Sequence, residues 1–516
     1  MVIQIIFFIL SLVLTLLFFL YGFNHYYLLL AARRYSTPDL PEPAGELPPV
    51  SIHLPIYNEK YVIRRLVAAC ADMAEAYGKE KVNILILDDS DDDTMSEIDA
   101  TAGETIRKGC RIEVVRRGDR QGFKAGALQA GLERTPEDFI AIFDADFIPP
   151  ADFLLRTVPH LMHDPKIGII QSRWCHLNRE YNFLTRAAAV AMDIHFLVEQ
   201  AGRYASGSFQ NFNGSAGVLR KEAMLEAGGW QADTLAEDLD LSYRVQLRGY
   251  RVLYLKNLQV PAEIPPTLPG FKKQQGRWAC GSLRTARKIL PRLLRQRELG
   301  FKKRLQAFIH LTAYILPSLM TISFVLNCIT TIFNLNSGGS IQTDPLFQPQ
   351  GILGFTRILA AFSTQKEVWT ILGPLIGLCT FAPWVSSIST LRTEKRPLSR
   401  NLGSLLGLLL LGFGISLSNT LEAGKALFSN RIWEFTRTPK YADLANSGEW
   451  RARRYQTVLN PVWMLELLFA CLGAYAMGCA IWRSNFFVLL ILVPFTISYA
   501  YVSLLTVLQS RRQKVV

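Results

Sequence analysis

The chain has 516 residues, 50% of them hydrophobic, with 56 Lys and Arg against 43 Asp and Glu and a formal net charge of +13. That length leaves room for one soluble α/β domain of about 250 residues plus several membrane spans, and it excludes a single compact core. The basic clusters at Arg33-Arg34, Lys302-Lys303-Arg304, 392–400, 451–454 and 511–514 each sit beside an apolar segment, which points to cytoplasmic membrane flanks and away from nucleic acid.

Residues 1–34 read as a transmembrane anchor: 2–32 are apolar, lack a basic leader and a small-residue cleavage site, and end at Arg33-Arg34, so the N-terminus is expected outside. Residues 35–49 are a proline-rich linker. From 50 to 265, short β-rich runs (50–54, 82–87, 111–115, 139–143) alternate with helical ones (62–77, 94–109, 124–133). Such alternation predicts a mostly parallel sheet with crossover helices and a ligand crevice beyond the carboxyl ends of the strands. Residues 266–304 turn basic and amphipathic, as interfacial helices do, and apolar runs follow near 306–335, 368–391, 401–424, 461–482 and 485–508. The fold class expected is thus α/β plus an all-α membrane region, with a transmembrane hairpin in 305–400 and another in 461–516. Run 401–424 is flanked by basic residues on both sides, so 401–434 is read as re-entrant or interfacial, leaving five spans with the C-terminus inside. Eight cysteines stand singly, with no Cys-x-x-Cys pair, and are expected to be free thiols.

Four signatures carry chemistry. Asp88-Asp89 and Asp144-Ala145-Asp146 both fall at strand ends, followed by Glu237-Asp238 and by Gln274-Gln275-Gly276-Arg277-Trp278. Carboxylates one residue apart can present hard oxygen ligands to Mg²⁺ or Mn²⁺ beside a diphosphate, although Asp144 and Asp146 can also simply open a turn before Pro149-Pro150. Asp88 and Asp89 can accept hydrogen bonds from a base or ribose, or belong to a solvated acidic loop over 88–93. Asp238 suits a general base, because Asp240 has an ordinary helical ion pair available with Arg244 and Asp238 has none as obvious. Trp278 suits stacking on a pyranose with Gln274 at its hydroxyls, or anchoring at a membrane surface; Arg277 can neutralise diphosphate, and Lys124 can face it from a helix N-terminus.

Taken together, these residues resemble family 2 inverting membrane glycosyltransferases, in particular the cellulose-synthase-like branch that includes plant mannan and glucan backbone synthases. The resemblance covers roughly residues 50–290, through Pro55-Ile56-Tyr57-Asn58-Glu59, Leu87-Asp88-Asp89-Ser90, Gly122-Phe123-Lys124-Ala125-Gly126, Asp144-Ala145-Asp146, Phe212-Asn213-Gly214-Ser215, Glu237-Asp238 and the Gln-x-x-Arg-Trp pattern ending at Trp278. It implies a GT-A-like cytosolic nucleotide-sugar domain. It also implies Asp238 as base beside Glu237, and a metal-diphosphate site at Asp144 and Asp146. Tyr57, Glu59, Asp88, Asp89, Lys124, Asp144, Gln274, Arg277 and Lys440 would hold the nucleotide sugar, with Asn213, Gly214, Ser215 and Trp278 on the acceptor. Ala236 stands where the family's Thr-Glu-Asp has threonine, which removes one supporting hydrogen bond. Phe435-Thr436-Arg437-Thr438-Pro439-Lys440 resembles the family's gating loop, with Arg437 in place of valine, and marks 435–460 as a gating-like segment. Nothing after residue 510 reads as a cyclic-dinucleotide-binding domain, so regulation by that route is not expected.

The expectation is a multi-pass enzyme of a bacterial plasma membrane or Golgi-like membrane, its catalytic domain cytoplasmic, polymerising a β-linked glucan, mannan or glucomannan from UDP-glucose or GDP-mannose and passing it through its spans. Tyr314, Trp384 and Trp463 are candidate channel aromatics, and His310 and Glu466 are polar groups in apolar runs. The alternative is a single transfer to a lipid such as ceramide, diacylglycerol or polyprenyl phosphate. A transporter or scaffold that only binds nucleotide sugar would predict a damaged catalytic position, and Asp144, Asp146, Asp238 and Trp278 are all intact.

Overall fold

The computed structural model describes residues 2–334, 377–378, 380–429, 438, 440, 442 and 459–510. Those within Met1–Tyr27, Ile315–Leu421 and Leu459–Arg511 form one compact unit, and those within Leu28–Tyr314 and Glu422–Val458 form the other.

The larger unit is built on a seven-stranded sheet: β1 Val50–Ile56, β2 Val82–Asp88, β3 Arg111–Arg116, β4 Phe139–Ile142, β5 Ile167–His176, β6 Gly217–Arg220 and β7 Arg251–Ala262, in the order β3-β2-β1-β4-β6-β5-β7. The four strands expected from the sequence are parallel to one another, and β5 is parallel to β7. Only β6 runs against its neighbours. The result is the expected GT-A-like, mostly parallel sheet. Its strands are apolar on both faces because helices cover both: Ile84 and Ile86 enter one core cluster with helix Ile63–Tyr77, while Leu85 and Leu87 enter the other with helix Phe123–Arg134.

The topology fixes where the site lies. Chain direction reverses its lateral progress at β1, which has β2 on one side and β4 on the other, so a crevice opens beyond the carboxyl ends of these strands. Ile56 is in register with Asp88, which brings Tyr57 and Asp89 to one edge. Because β6 is antiparallel, its beginning at Gly217 pairs with the end of β4 at Ile142, and that delivers 213–216 beside Asp144. Helix Leu268–Arg295 follows β7, opened by Thr267 as cap and Pro269 in its first turn, and carries the Gln-x-x-Arg-Trp residues. It lies close against the turn before Asp238: a Cβ on Gly281 would meet the Ala236 Cβ at 2.7 Å, so Gly281 is the residue that permits the approach.

Among the described residues, four helices are long and apolar enough to cross a membrane: Ile9–Ala32, Phe301–Ile332, Val462–Trp482 and Leu489–Ser510. The segment read as re-entrant or interfacial forms two helices, Leu398–Gly414 and Ser416–Phe428, bent by 44° at Ile415, and would add a fifth if it crossed as one span. Gly414 sits where a Cβ would meet Val502 Cγ2 at 2.3 Å, so protein covers the second of the two glycines at that bend. Residues 368–376 and most of the gating-like 435–460 lie outside the described residues; Ala382–Thr393 is helical. The seven described cysteines are free thiols. His310 meets the Tyr243 hydroxyl at 2.8 Å, which gives that polar group a partner within the larger unit.

Candidate active site

A cavity of about 240 Å³ opens at the carboxyl edge of the sheet in the larger unit. Its walls bring together residues from every motif singled out above: Tyr57 and Glu59 after β1, Asp89 after β2, Lys124 from the first turn of helix Phe123–Arg134, Asp144 and Asp146 after β4, Asn213 before β6, and Glu237 and Asp238. Gln274, Arg277, Trp278 and Lys440 complete it.

Lys124 organises the centre. Its Nζ donates to Asp144 Oδ1 at 2.6 Å and to the Gly214 carbonyl at 3.0 Å, and lies 3.8 Å from Glu237 Oε1. Burial works against its charge, but Asp144 and Glu237 outweigh burial and hold the amine above its ordinary range. The start of helix Phe123–Arg134 is set by Gly122 at φ +74°, a left-handed position where glycine carries no side-chain penalty. Ser215 Oγ accepts from the Asp144 amide at 2.8 Å, and the Asn213 amide donates to Gln171 Oε1 at 2.8 Å. Of the four residues expected on the acceptor, Asn213 and Trp278 therefore line the cavity, while Gly214 and Ser215 hold Lys124 and Asp144 in place.

Asp238 opens helix Glu237–Leu247, and its Oδ1 accepts from the Leu239 amide at 2.7 Å. Burial and the neighbouring Glu237 charge push its carboxyl up to about 7, against the opposing pull of Lys124. A proton acceptor near neutrality is what general base catalysis requires. Gly214, at φ +78°, lies so close that a Cβ there would be 2.7 Å from Asp238 Oδ2. Asp240, by contrast, is buried and bound to Arg244 at 2.8 Å, the ordinary ion pair its spacing predicted.

The two members of the first acidic pair part company. Asp88 is buried, its oxygens held by Arg116 Nε at 2.8 Å and the Ser90 amide at 3.0 Å, and it is absent from the cavity wall. Asp89 reaches the wall, gripped by Arg117 through Nε at 2.9 Å and through Nη2. Successive residues leaving a strand point to opposite sides, so a pair of this kind delivers one carboxylate to the crevice.

Asp146 is buried and accepts from the Glu263 amide at 3.0 Å and from Lys440 Nζ at 2.6 Å. Arg277 Nη2 donates to Thr438 Oγ1 at 2.8 Å; burial pulls its guanidinium below the usual range, with Glu237 and Asp144 opposing. Sequence reasoning missed Glu263, which lines the cavity and pairs with Arg65 at 2.6 Å, and Trp174 on the same wall. An acid one residue past the end of β7 was the available signal for Glu263; its partner stands 198 residues away and left none.

A divalent cation fits these carboxylates. Asp144 Oδ1 and Asp146 Oδ2 are each engaged by a lysine, and among the described residues no protein hydrogen bond engages Asp144 Oδ2 or Asp146 Oδ1. Among the described residues no three His, Cys, Asp or Glu side chains are placed to hold one metal ion, so a cation here would take its remaining ligands from diphosphate oxygens and water.

Residues 51–215 match the glycosyl transferase family 2 domain and residues 139–376 the glycosyl transferase family group 2 domain. These stretches of the chain thus carry the sequence pattern of family 2 glycosyl transferase domains. It is 40% identical over 267 residues to a rice (Oryza sativa subsp. japonica) protein named "Probable glucomannan 4-beta-mannosyltransferase 4", covering 51% of this chain and 48% of the relative. It is 38% identical over 265 residues to glucomannan 4-beta-mannosyltransferase 2 of Arabidopsis thaliana, covering 51% and 49%. The chain thus spans about half the length of the curated relatives it matches. Among solved structures it resembles a mannosyltransferase from Pyrobaculum calidifontis in complex with GDP-Man and Mn²⁺, at 18% identity and a TM-score of 0.49, covering 74% of this chain and 99% of that one.

Proposed function

We propose that this chain is a membrane-embedded, processive, inverting hexosyltransferase that builds a β-linked glucan, mannan or glucomannan from a nucleotide-diphosphate sugar. The observation that carries this is the single cavity that brings Asp238 together with Lys124, Asp144, Asp146, Arg277 and Trp278, where burial and the Glu237 charge raise the Asp238 carboxyl. The names of the relatives support a 4-linked mannan or glucomannan product.

In the transfer, the acceptor hydroxyl oxygen attacks the anomeric carbon as the bond from that carbon to the diphosphate oxygen breaks, with inversion. Asp238 takes the hydroxyl proton, and the diphosphate leaves with the bonding electrons. Trp278 offers a face for the acceptor sugar, and Asn213 and Gln274 polar groups for its hydroxyls. Lys124, Arg277 and Lys440 are the cations on the leaving-group side. Mg²⁺ or Mn²⁺ held by Asp144 and Asp146 would supply further neutralisation of the diphosphate.

The membrane organisation follows from the charges: residues 1–34 as anchor with the N-terminus outside, 50–265 as the cytosolic catalytic domain, 266–304 at the interface, and 435–460 as a cytosolic gating segment. Passage of the product through the spans belongs to the same proposal. Incubating the purified protein with labelled GDP-mannose and UDP-glucose and sizing the product tests it. A ladder or high polymer cleaved by a β-glycanase is the expected result; label recovered wholly as a lipid bearing one sugar replaces the polymer reading with the glycolipid one.

A further inference from the structure

Three arginines stand close together before helix Phe123–Arg134, and two are already engaged. Arg116 holds Asp88 and Asp99, each at 2.8 Å. Arg117 holds Asp89 and donates to the Gln121 and Phe123 carbonyls at 2.8 and 3.1 Å. Arg120 differs. Among the described residues no carboxylate or carbonyl accepts from its guanidinium, and its Nε is shielded from solvent without a partner.

Arg120 nevertheless has a fixed place. Its guanidinium carbon lies 3.3 Å from the centroid of the Tyr57 ring and 5.5 Å from that of Phe123. Tyr57 in turn is tied by its hydroxyl to Asp91 at 3.3 Å. Both Tyr57 and Arg120 line the cavity with Asp89 and Lys124. A flat, cationic, donor-only fork is thereby held on an aromatic face with its hydrogen-bonding capacity unspent.

We propose that Arg120, stacked on Tyr57, reads the nucleobase of the donor and selects guanine. This rests on the glycosyl-transfer reading of the same cavity and narrows its donor to a guanosine-diphosphate sugar. The physical argument is donor–acceptor matching. Guanine presents O6 and N7 side by side, two acceptors spaced for two guanidinium N–H groups. Uracil places an N3–H donor between its two carbonyls, and adenine places an amino group beside N7, so either base sets a donor against a donor. Stacking on Tyr57 fixes the plane of the fork before the base arrives, which reduces the entropy lost on binding.

The test measures GDP and UDP binding to the purified full-length protein by calorimetry in the presence of Mn²⁺. Wild type should bind GDP at least about tenfold more tightly than UDP, the discrimination expected of one good bidentate contact. Arg120→Ala and Arg120→Lys should both bring that ratio near one while UDP affinity moves by less than about threefold, since lysine keeps the charge and loses the fork. Arg120→Lys carries the test if the alanine variant does not fold. A ratio unchanged in the variants, or a wild-type preference for UDP, overturns the assignment of Arg120 and leaves glycosyl transfer standing. Failure of wild type to bind either nucleotide overturns both readings.

Discussion

Lys440 Nζ lies 2.6 Å from Asp146 Oδ2, joining residues 294 positions apart, and the same ammonium donates to the Glu263 carbonyl at 3.1 Å. Asp146 thus carries a protein cation on one oxygen while its other oxygen is open to a second cation. Lys440→Ala should slow each turnover by about tenfold, the scale of one charge-assisted contact to the diphosphate. Steady-state kinetics with each nucleotide sugar decides it; unchanged kcat would remove Lys440 from the reaction.

Asp146→Asn keeps the shape of the side chain and removes its charge, so it should lower transfer on the order of a thousandfold. Chelation with excess EDTA should abolish activity in the wild type, and Mg²⁺ or Mn²⁺ should restore it. Full activity in chelator would show that Asp144 and Asp146 serve without a metal.

For Asp238 the direction of the pH effect follows from its carboxyl standing at about 7. Below that pH the group is protonated and cannot accept a proton, so kcat/KM should fall about tenfold per unit as pH drops below about 6. Asp238→Asn should bind nucleotide sugar and transfer it about a hundredfold more slowly or worse, without that acid limb. Stability runs the other way. The folded value lies above the ordinary 3.8, so the protonated form favours the fold, and this contribution is lost as pH rises from about 4 towards 7. Asp238→Asn should therefore gain melting temperature relative to wild type across that window and keep the gain above it. Parallel melting curves over pH 4–8 would show that burial does not set the proton affinity of this carboxyl.

Trp278→Ala should abolish elongation, because the acceptor sugar loses its stacking face, while nucleotide binding persists. Product length on a sizing gel separates the two effects; long polymer from the alanine variant would place the acceptor elsewhere.

A single cysteine introduced at Ser429, just past helix Ser416–Phe428, should label from the cytoplasmic side only. Labelling from outside would make the bent pair Leu398–Gly414 and Ser416–Phe428 a crossing span and overturn the five-span topology expected from the flanking charges.

The local chemistry of the chain was enough to lay out the catalytic half. Apolar β-rich runs at 50–54, 82–87 and 139–143 became β1, β2 and β4, and the acidic motifs fell at their carboxyl ends, because burial on both faces demands continuous apolar strands and parallel pairing puts all their ends on one edge. The Asp240–Arg244 pair was equally legible, since helical spacing alone sets it. Strands β5, β6 and β7 were not marked separately, and the antiparallel β6 that delivers Asn213 depends on pairing across about 75 residues, which no local pattern encodes.

What only tertiary structure decided is which polar groups are used up by the protein and which face the cavity. Asp88 is spent on Arg116 while Asp89 reaches the wall; Arg116 and Arg117 are paired while Arg120 lies open on Tyr57; Glu263 meets Arg65, and Lys440 meets Asp146. Residue type and strand period are properties of a short stretch of chain, so the sequence determines them. The partner that satisfies or spares a buried charge comes from whichever distant element the fold packs against it, and the Asp238 carboxyl owes its position near 7 to that same enclosure.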